Sequence, residues 1–319
     1  KILIVGCSDL IGLGLTQYLK KIGFVNSLLT NLSEVDFTDQ KSARSFFRKK
    51  RPDYCILAPI REGGIGANIA YPAELIYKNL LIQANVIHAA WKEKVNKLLF
   101  FASSCVYPRN SLQPLKEKYL LSGPLEDTNE PYAIAKIAGI KMCQAYNKQY
   151  KTRFISLIPA SVYGPNDSFD LRNCHVISAL IHKFHTAKIN NKSKVSVWGT
   201  GKPKREFIYA DDLIEASLFL LEHRNSPEVV NVGVCVDLSI LRLAEIIKRV
   251  TGFGGCIEFD KSKPDGTPRK LLDTSLLNSL GWKPRIKIES GLGYTYCWYR
   301  ENLLKMDGRH SLNKCAAVK

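Results

Sequence analysis

Ile2-Leu3-Ile4-Val5-Gly6-Cys7-Ser8-Asp9-Leu10-Ile11-Gly12 is the stretch on which the fold turns. Residues 2–6 read as a short strand and residues 11–21 as the helix after it, which leaves a tight strand-to-helix turn between them. Glycines in such a turn let backbone N–H groups and the helix amino terminus come close to a pyrophosphate. Gly6 and Gly12 occupy the two ends of a Gly-x-x-Gly-x-x-Gly spacing, while its central place holds Asp9. A carboxylate there repels phosphate, and its side chain stands where the backbone should approach. Taken alone, the segment is also readable as a turn that binds nothing.

The alternation continues outward from this turn. Residues 54–58, 97–103 and 154–159 are predicted strands, and 72–91 and 132–150 predicted helices. Strands and helices in this order predict an α/β protein with a doubly wound parallel sheet of Rossmann type, its ligands at the strands' carboxyl ends. In Val35-Asp36-Phe37-Thr38-Asp39, Asp36 stands where such a sheet sets an acid against the adenine, although it also reads as a helix cap. Beyond Pro165 the pattern loosens to a helix at 174–187, a strand at 195–199, a helix at 211–222, a strand at 229–232 and a helix at 239–251. Residues 1–165 are therefore expected to form a dinucleotide-binding domain. Residues 166–304 are expected to form a smaller α/β substrate lobe that returns some elements to the sheet, and the polar residues 305–319 a disordered tail.

The 319 residues are 45% hydrophobic and 24% charged, enough for a large core and unlike a disordered chain. No apolar run approaches the roughly 20 residues of a membrane span, so no membrane partner is expected. No signal-peptide pattern precedes the first strand, and the lack of an initiator Met leaves a trimmed leader open. The nine cysteines are scattered singly without a Cys-x-x-Cys pair. That argues against a disulfide framework or a metal site and for a cytoplasmic protein whose cysteines mostly pack as small hydrophobes. The formal charge of +17 is dispersed, and its densest run, Arg48-Lys49-Lys50-Arg51, falls at a predicted helix end where cations suit the dipole. With no nucleic-acid motif beside it, the charge reads as a solvated surface that attracts anionic substrates, and no nucleic-acid partner is expected.

Leu98-Leu99-Phe100-Phe101-Ala102-Ser103-Ser104-Cys105-Val106-Tyr107-Pro108 is a buried strand ending in polar residues. Downstream, Pro131-Tyr132-Ala133-Ile134-Ala135-Lys136 opens a helix and puts Tyr132 and Lys136 on one face, four residues apart. An ammonium beside a phenol favours the phenolate, so Tyr132 can exchange a proton with a substrate oxygen while hydride moves at carbon. Ser103 can hydrogen-bond the same oxygen. A Tyr-x-x-x-Lys pair alone is an ordinary helix pair. A serine at a strand end within a βα half gives it a proton-handling reading.

The sequence is similar to the GDP-L-fucose synthases, GDP-4-keto-6-deoxy-D-mannose 3,5-epimerase/4-reductases of the extended short-chain dehydrogenase/reductase superfamily. The likeness rests on Gly63-Gly64-Ile65, Ser103-Ser104-Cys105-Val106-Tyr107-Pro108, Thr128-Asn129-Glu130-Pro131-Tyr132 through Gly139, Tyr163-Gly164-Pro165, His175-Val176-Ile177, Val197-Trp198-Gly199-Thr200-Gly201, Arg205-Glu206-Phe207 and Lys263-Pro264-Asp265-Gly266-Thr267-Pro268-Arg269-Lys270. It spans about residues 1 to 302. The resemblance implies NADPH-dependent epimerisation at C3 and C5 of a GDP-sugar and reduction at C4, with Cys105 as base, His175 as acid, and Ser103, Tyr132 and Lys136 serving the reduction. For the cofactor it implies Gly6, Ser8, Asp9, Leu10, Ile11, Gly12, Asp36, Ala58, Ala102, Ser103, Tyr132, Lys136, Pro159, Ser161, Val162 and His175. For the GDP-sugar it implies Lys183, Trp198, Arg205 and Asp265. Lys183 stands where the family can carry arginine and lacks that planar fork. By analogy with the superfamily, the helices at 72–91 and 132–150 would build a homodimer.

Other departures from the family pattern gather around the cofactor. Ser8 and Leu32 replace arginines that suit the 2′-phosphate in bacterial members, which brings NADH into question beside NADPH. Pro159-Ala160-Ser161-Val162 lacks the usual Thr-Asn pair, and Asn166 and Ser168 replace His and Asn. Two alternatives accordingly stay open: a non-catalytic homologue with an impaired cofactor site, and an epimerase or reductase for another nucleotide sugar.

Overall fold

The computed structural model describes residues 1–6, 10–24, 26–30, 33–59, 64–171 and 174–306, the last four of these without their side chains. The first half runs β1 (Ile2–Val5), α1 (Leu10–Lys21), β2 (Ser27–Thr30), α2 (Gln40–Lys50), β3 (Tyr54–Leu57), α3 (Ile65–Ala70), α4 (Pro72–Lys92), β4 (Lys97–Phe101), α5 (Glu130–Tyr150) and β5 (Phe154–Pro159). Then come β6 (Ser161–Tyr163), α6 (Val176–Ile189), β7 (Lys194–Trp198), β8 (Lys204–Tyr209), α7 (Ala210–Glu222) and β9 (Val229–Val232). The chain continues through β10 (Asp237–Ser239), α8 (Ile240–Thr251), β11 (Cys256–Asp260), β12 (Arg269–Lys270), α9 (Ser275–Ser279) and α10 (Ile288–Met306).

Local chemistry explains several boundaries. Asp39 caps α2 by accepting from the Ser42 N–H at 2.7 Å, and Arg48, Lys49 and Lys50 occupy its last turn, where the helix dipole favours cations. Ser239 caps α8 by accepting from the Arg242 N–H at 3.1 Å, and Gly252 ends that helix in the left-handed conformation. Pro72 and Pro131 stand in the first turns of α4 and α5, where no amide donor is needed.

Six parallel strands form the main sheet in the order β2-β1-β3-β4-β5-β9. The chain moves one way from β1 to β2 and the other way from β3 onward, so the sheet is doubly wound with a switch point between β1 and β3. Helix α1 packs with α7, whereas α2, α4 and α5 pack together. Buried residues of β1, β3, β4 and β5 make up the main core, which also takes in Ile208, Leu213, Leu220, Val230, Leu272 and Leu277. The sheet thus draws on the chain well beyond residue 165. A second core joins α6, β7, α8 and α10 through Ile181, Phe184, Val197, Leu243, Ile247 and Tyr299.

Two smaller sheets complete the fold. Strand β8 pairs with β10 antiparallel, with β12 in parallel at residues 204–205, and with β6 in parallel at residues 207–209. Strands β7 and β11 form a parallel pair.

Some expectations need correction. Strand β4 stops at Phe101, short of residue 103, because Ser103 Oγ accepts from the Cys105 N–H and starts a 3-10 turn over Ser104–Val106. Helix α10 carries helical structure to Met306, two residues into the expected tail, and residues 307–319 lie outside the description. Cys297 is disulfide-bonded, which single, scattered cysteines did not suggest. Among the free thiols Cys55, Cys105 and Cys143 are buried, but Cys235 and Cys256 are exposed.

Candidate active site

Because the main sheet is parallel, residues after β1, β3, β4 and β5 emerge along one edge. Gly6 follows β1 at φ 89°, a backbone state open to glycine. Helix α1 then begins at Leu10 with no acidic residue in its first turn, and Leu10, Ile11 and Gly12 are buried. The positive end of its dipole therefore lies at the switch point, an arrangement that suits a pyrophosphate. Ser8, Asp9 and Leu32 lie outside the described residues. Ala58 hydrogen-bonds to Val5 O at 3.0 Å and Ala102 to Leu157 O at 2.8 Å, each just past its strand. Pro159 ends β5, while Ser161 and Val162 belong to β6. Asp36 is not a helix cap. Its carboxylate accepts from the Thr38 N–H at 2.9 Å and hydroxyl at 2.5 Å, while Asp39 caps α2.

Ser103, Cys105, Tyr132 and Lys136 converge at the end of β4. Cys105 and Tyr132 are buried in one small cluster with Leu75 and Ala133. The Lys136 ammonium lies 5.6 Å from the Tyr132 ring and 5.1 Å from that of Phe100, and it donates to Phe101 O at 3.1 Å. Helical spacing and the exit of one strand thus bring the four groups together. Behind them, the Tyr107 hydroxyl donates to Asn231 Oδ1 at 2.7 Å and fastens the turn to β9. Burial pushes the Cys105 thiol up, while Lys270, the Ser103 hydrogen bond and Lys136 pull it down. His175 enters from the other half as the residue immediately before α6, partly buried, with its side chain not capping the helix.

A second group of residues surrounds Trp198, which is 48% exposed at the end of β7. The ammonium groups of Lys183 and Lys263 lie 5.7 and 5.5 Å from its ring centroid, an arrangement of cations over an aromatic face. Lys183 also donates to Ser196 O at 3.0 Å, and burial pushes its ammonium down. Asp265 accepts from the Thr200 N–H at 2.7 Å on one oxygen and from its hydroxyl at 2.8 Å on the other. Its carboxylate therefore holds the turn after Trp198. Arg205, on β8, donates to Lys204 O at 2.8 Å; burial lowers its pKa, against the opposing charges of Glu126 and Asp265.

Two charged residues of this region escaped the sequence reading. Glu126 is 5% exposed. It meets Arg109 at 3.3 Å and accepts at 3.3 Å from both the Thr128 and Thr267 hydroxyls. Lys270 lies in the family-like segment 263–270, yet nothing in that segment sets it apart from Arg269. Glu126 sits in an aperiodic polar loop, and only its burial in the folded chain marks it out.

No group of His, Cys, Asp and Glu suited to a metal ion occurs among the described residues, and none of their helices is long and apolar enough to cross a membrane.

A model of the NAD dependent epimerase/dehydratase family matches residues 2–233. GDP-L-fucose synthase 1 of Arabidopsis thaliana is 49% identical over 303 residues, covering 95% of this chain and 94% of the relative. The chain belongs to the GDP-L-fucose synthase family. A GDP-L-fucose synthase of Escherichia coli (strain K12) is 45% identical over 311 residues, covering 95% of this chain and 97% of its own. Among solved structures, a GDP-mannoheptose C4 reductase from Campylobacter jejuni with NADP bound is 36% identical. It superposes with a TM-score of 0.85 over 94% of this chain and 98% of that one.

Proposed function

We propose that the protein converts GDP-4-keto-6-deoxy-D-mannose to GDP-L-fucose by NADPH-dependent 3,5-epimerisation and 4-reduction. The observation that carries this reading is the meeting of Cys105 with Ser103, Tyr132 and Lys136 in one buried site. NADPH would be held by Gly6, the amino end of α1, Ala58, Ala102, Pro159, Ser161, Val162 and Lys136. When bound, it supplies hydride for the C4 carbon.

The remaining chemistry belongs to the chain. The C4 ketone acidifies the protons at C3 and C5. Cys105 takes such a proton, and the electron pair of the broken C–H bond moves onto the carbonyl oxygen. His175 returns a proton on the opposite face and so inverts the carbon. In the reduction Tyr132 gives its phenolic proton to the C4 oxygen, Ser103 orients that oxygen, and Lys136 steadies the phenolate that is left. Trp198 offers its ring to the guanine, and Lys183, Lys263 and Arg205 face the diphosphate. In this reading the sheet half, residues 1–165 with the elements that return to it, serves the cofactor, and the rest holds the GDP-sugar.

The protein would act as a homodimer through α4 and α5, whose outer surfaces leave Tyr77, Ile134 and Tyr150 exposed. A reducing compartment such as the cytoplasm suits the six free thiols among the described residues, the disulfide-bonded Cys297 apart.

Incubation with GDP-4-keto-6-deoxymannose and NADPH should yield GDP-L-fucose and NADP. With Tyr132→Phe, deuterium from heavy water should still enter C3 and C5 while NADPH oxidation falls by about 10²-fold or more. Absence of turnover at saturating NADPH would refute the assignment. Preferred turnover of a different nucleotide-linked keto-sugar would transfer it to that substrate.

A further inference from the structure

Strand β12 is only two residues long, yet it is held from several directions. Lys270 pairs in register with Arg205 of β8. Past the strand, the Leu272 N–H donates to buried Glu206 at 2.7 Å and the Leu271 N–H to Gln113 Oε1 at 2.9 Å. The Leu115 N–H donates to Leu271 O at 2.7 Å, which ties this region to the segment that follows the Ser103–Pro108 turn. Successive side chains of an extended strand take opposite faces. Arg269 takes the outer one, where its guanidinium pairs with Asp237. Lys270 therefore faces inward, where burial and the nearby Arg205 push its ammonium down while Cys105 and Glu126 hold it up.

We propose that Lys270 is a positioning residue for the base, the counter-charge that eases formation of the Cys105 thiolate in a buried site. The proposal rests on the reading of Cys105 as the base of the epimerisation. The groups facing that sulfur are Lys270 from β12, Lys136 and Tyr132 from α5, and the Ser103 hydroxyl from its own turn. Lys270 in turn faces Arg205 from β8 and Glu126 from the loop before α5.

A counter-charge is needed because burial favours the neutral thiol. Cys143 shows the effect without a cation: it is equally buried, and its thiol is pushed up to about 12. Lys136 is already committed to Phe101 O and stands beside Tyr132, so its charge serves the phenol first. Among the described residues, Lys270 is the other cation that acts on the thiol. Glu126 offsets part of the positive charge that Arg205 and Lys270 bring together.

The test reads the sulfur directly. Thiolate ultraviolet absorbance is followed across pH as the difference between each protein and the same protein carrying Cys105→Ser. The midpoint should rise by about one unit or more in both Lys270→Met and Lys270→Gln, and return to the parent value in Lys270→Arg. With substrate, deuterium uptake at C3 and C5 near neutral pH should fall about tenfold in the neutral variants and recover as pH rises. Unchanged midpoints in the neutral variants, or failure of Lys270→Arg to restore the parent value, would overturn the proposal. A parent that does not turn over the GDP-sugar would sink the functional reading alone, since the thiol titration needs no substrate.

Discussion

Replacing Gly139 by alanine should weaken catalysis more than it weakens the fold. Gly139 lies on α5, three residues after Lys136, where the helix backs onto β4. A Cβ at this position would sit 2.4 Å from Phe100 Cζ, 2.6 Å from Phe100 Cε1 and 3.0 Å from Gln83 Oε1. Ordinary carbon contacts are about 3.5–4.0 Å, so about 1 Å of separation has to be found. Phe100 is fully buried and cannot swing into solvent. Overpacking of this kind typically costs about 1–3 kcal/mol. Alanine in a helix interior recovers about 0.5–1 kcal/mol relative to glycine. The net loss of stability should therefore be modest, about 0–2 kcal/mol.

Catalysis has no such compensation. If α5 yields by about 1 Å, Tyr132 and Lys136 withdraw from Ser103 and Cys105, and misplacement on that scale costs on the order of 10²-fold in rate. Chemical denaturation and kcat for NADPH oxidation, measured on Gly139→Ala and the parent, check both halves. A variant more stable than the parent with an unchanged kcat would refute the claim that this close approach places α5.

Three further outcomes are expected. Tyr107→Phe removes the 2.7 Å bond to Asn231 Oδ1 and leaves that oxygen buried without its donor, so the denaturation midpoint should drop by the equivalent of about 1–3 kcal/mol at unchanged m. Burial pushes the Glu206 carboxyl up to about 7, even though three backbone N–H groups donate to it. Because the folded value lies above the ordinary one, its contribution to stability is complete below about 4.5 and is lost as pH rises through about 7. Denaturant midpoints should show the parent losing up to about 3 kcal/mol across that window relative to Glu206→Gln, and parallel pH profiles would contradict this. Trp198→Ala removes the ring beneath Lys183 and Lys263, so KM for the GDP-sugar should rise about tenfold with little change in kcat. A loss confined to kcat would place the indole elsewhere in the reaction.

Much of the fold was legible in the sequence where local periodicity was strong. The strands of the main sheet at 2–5, 54–57, 97–101 and 154–159 are short apolar runs, and α4 and α5 are long helices opened by proline. Elements with weak patterning escaped or, like α2, were marked only at one end. Helix α2 buries only Ala43 and Phe47, β2 is four residues long, and β8 begins on three charged residues. Helix α10 is rich in aromatic residues, and its buried Tyr296 and Tyr299 are defined by their packing against α6 and α8.

The proposed proton-handling centre followed the same division. Tyr132 and Lys136 share a helix face because of their spacing, and Ser103 stands at a strand end because the apolar run stops there, so the sequence by itself determined all three. Only tertiary structure decided what surrounds them. Arg269 and Lys270 look alike in the sequence, and it is pairing with β8 that turns one outward to Asp237 and the other inward toward Cys105. Asp265, expected to hold the sugar nucleotide, has its carboxylate engaged by Thr200. Glu126 meets its partners across chain separations of up to 141 residues. Such groups leave no periodic trace, because their charge acquires a role only when separate segments bury it together.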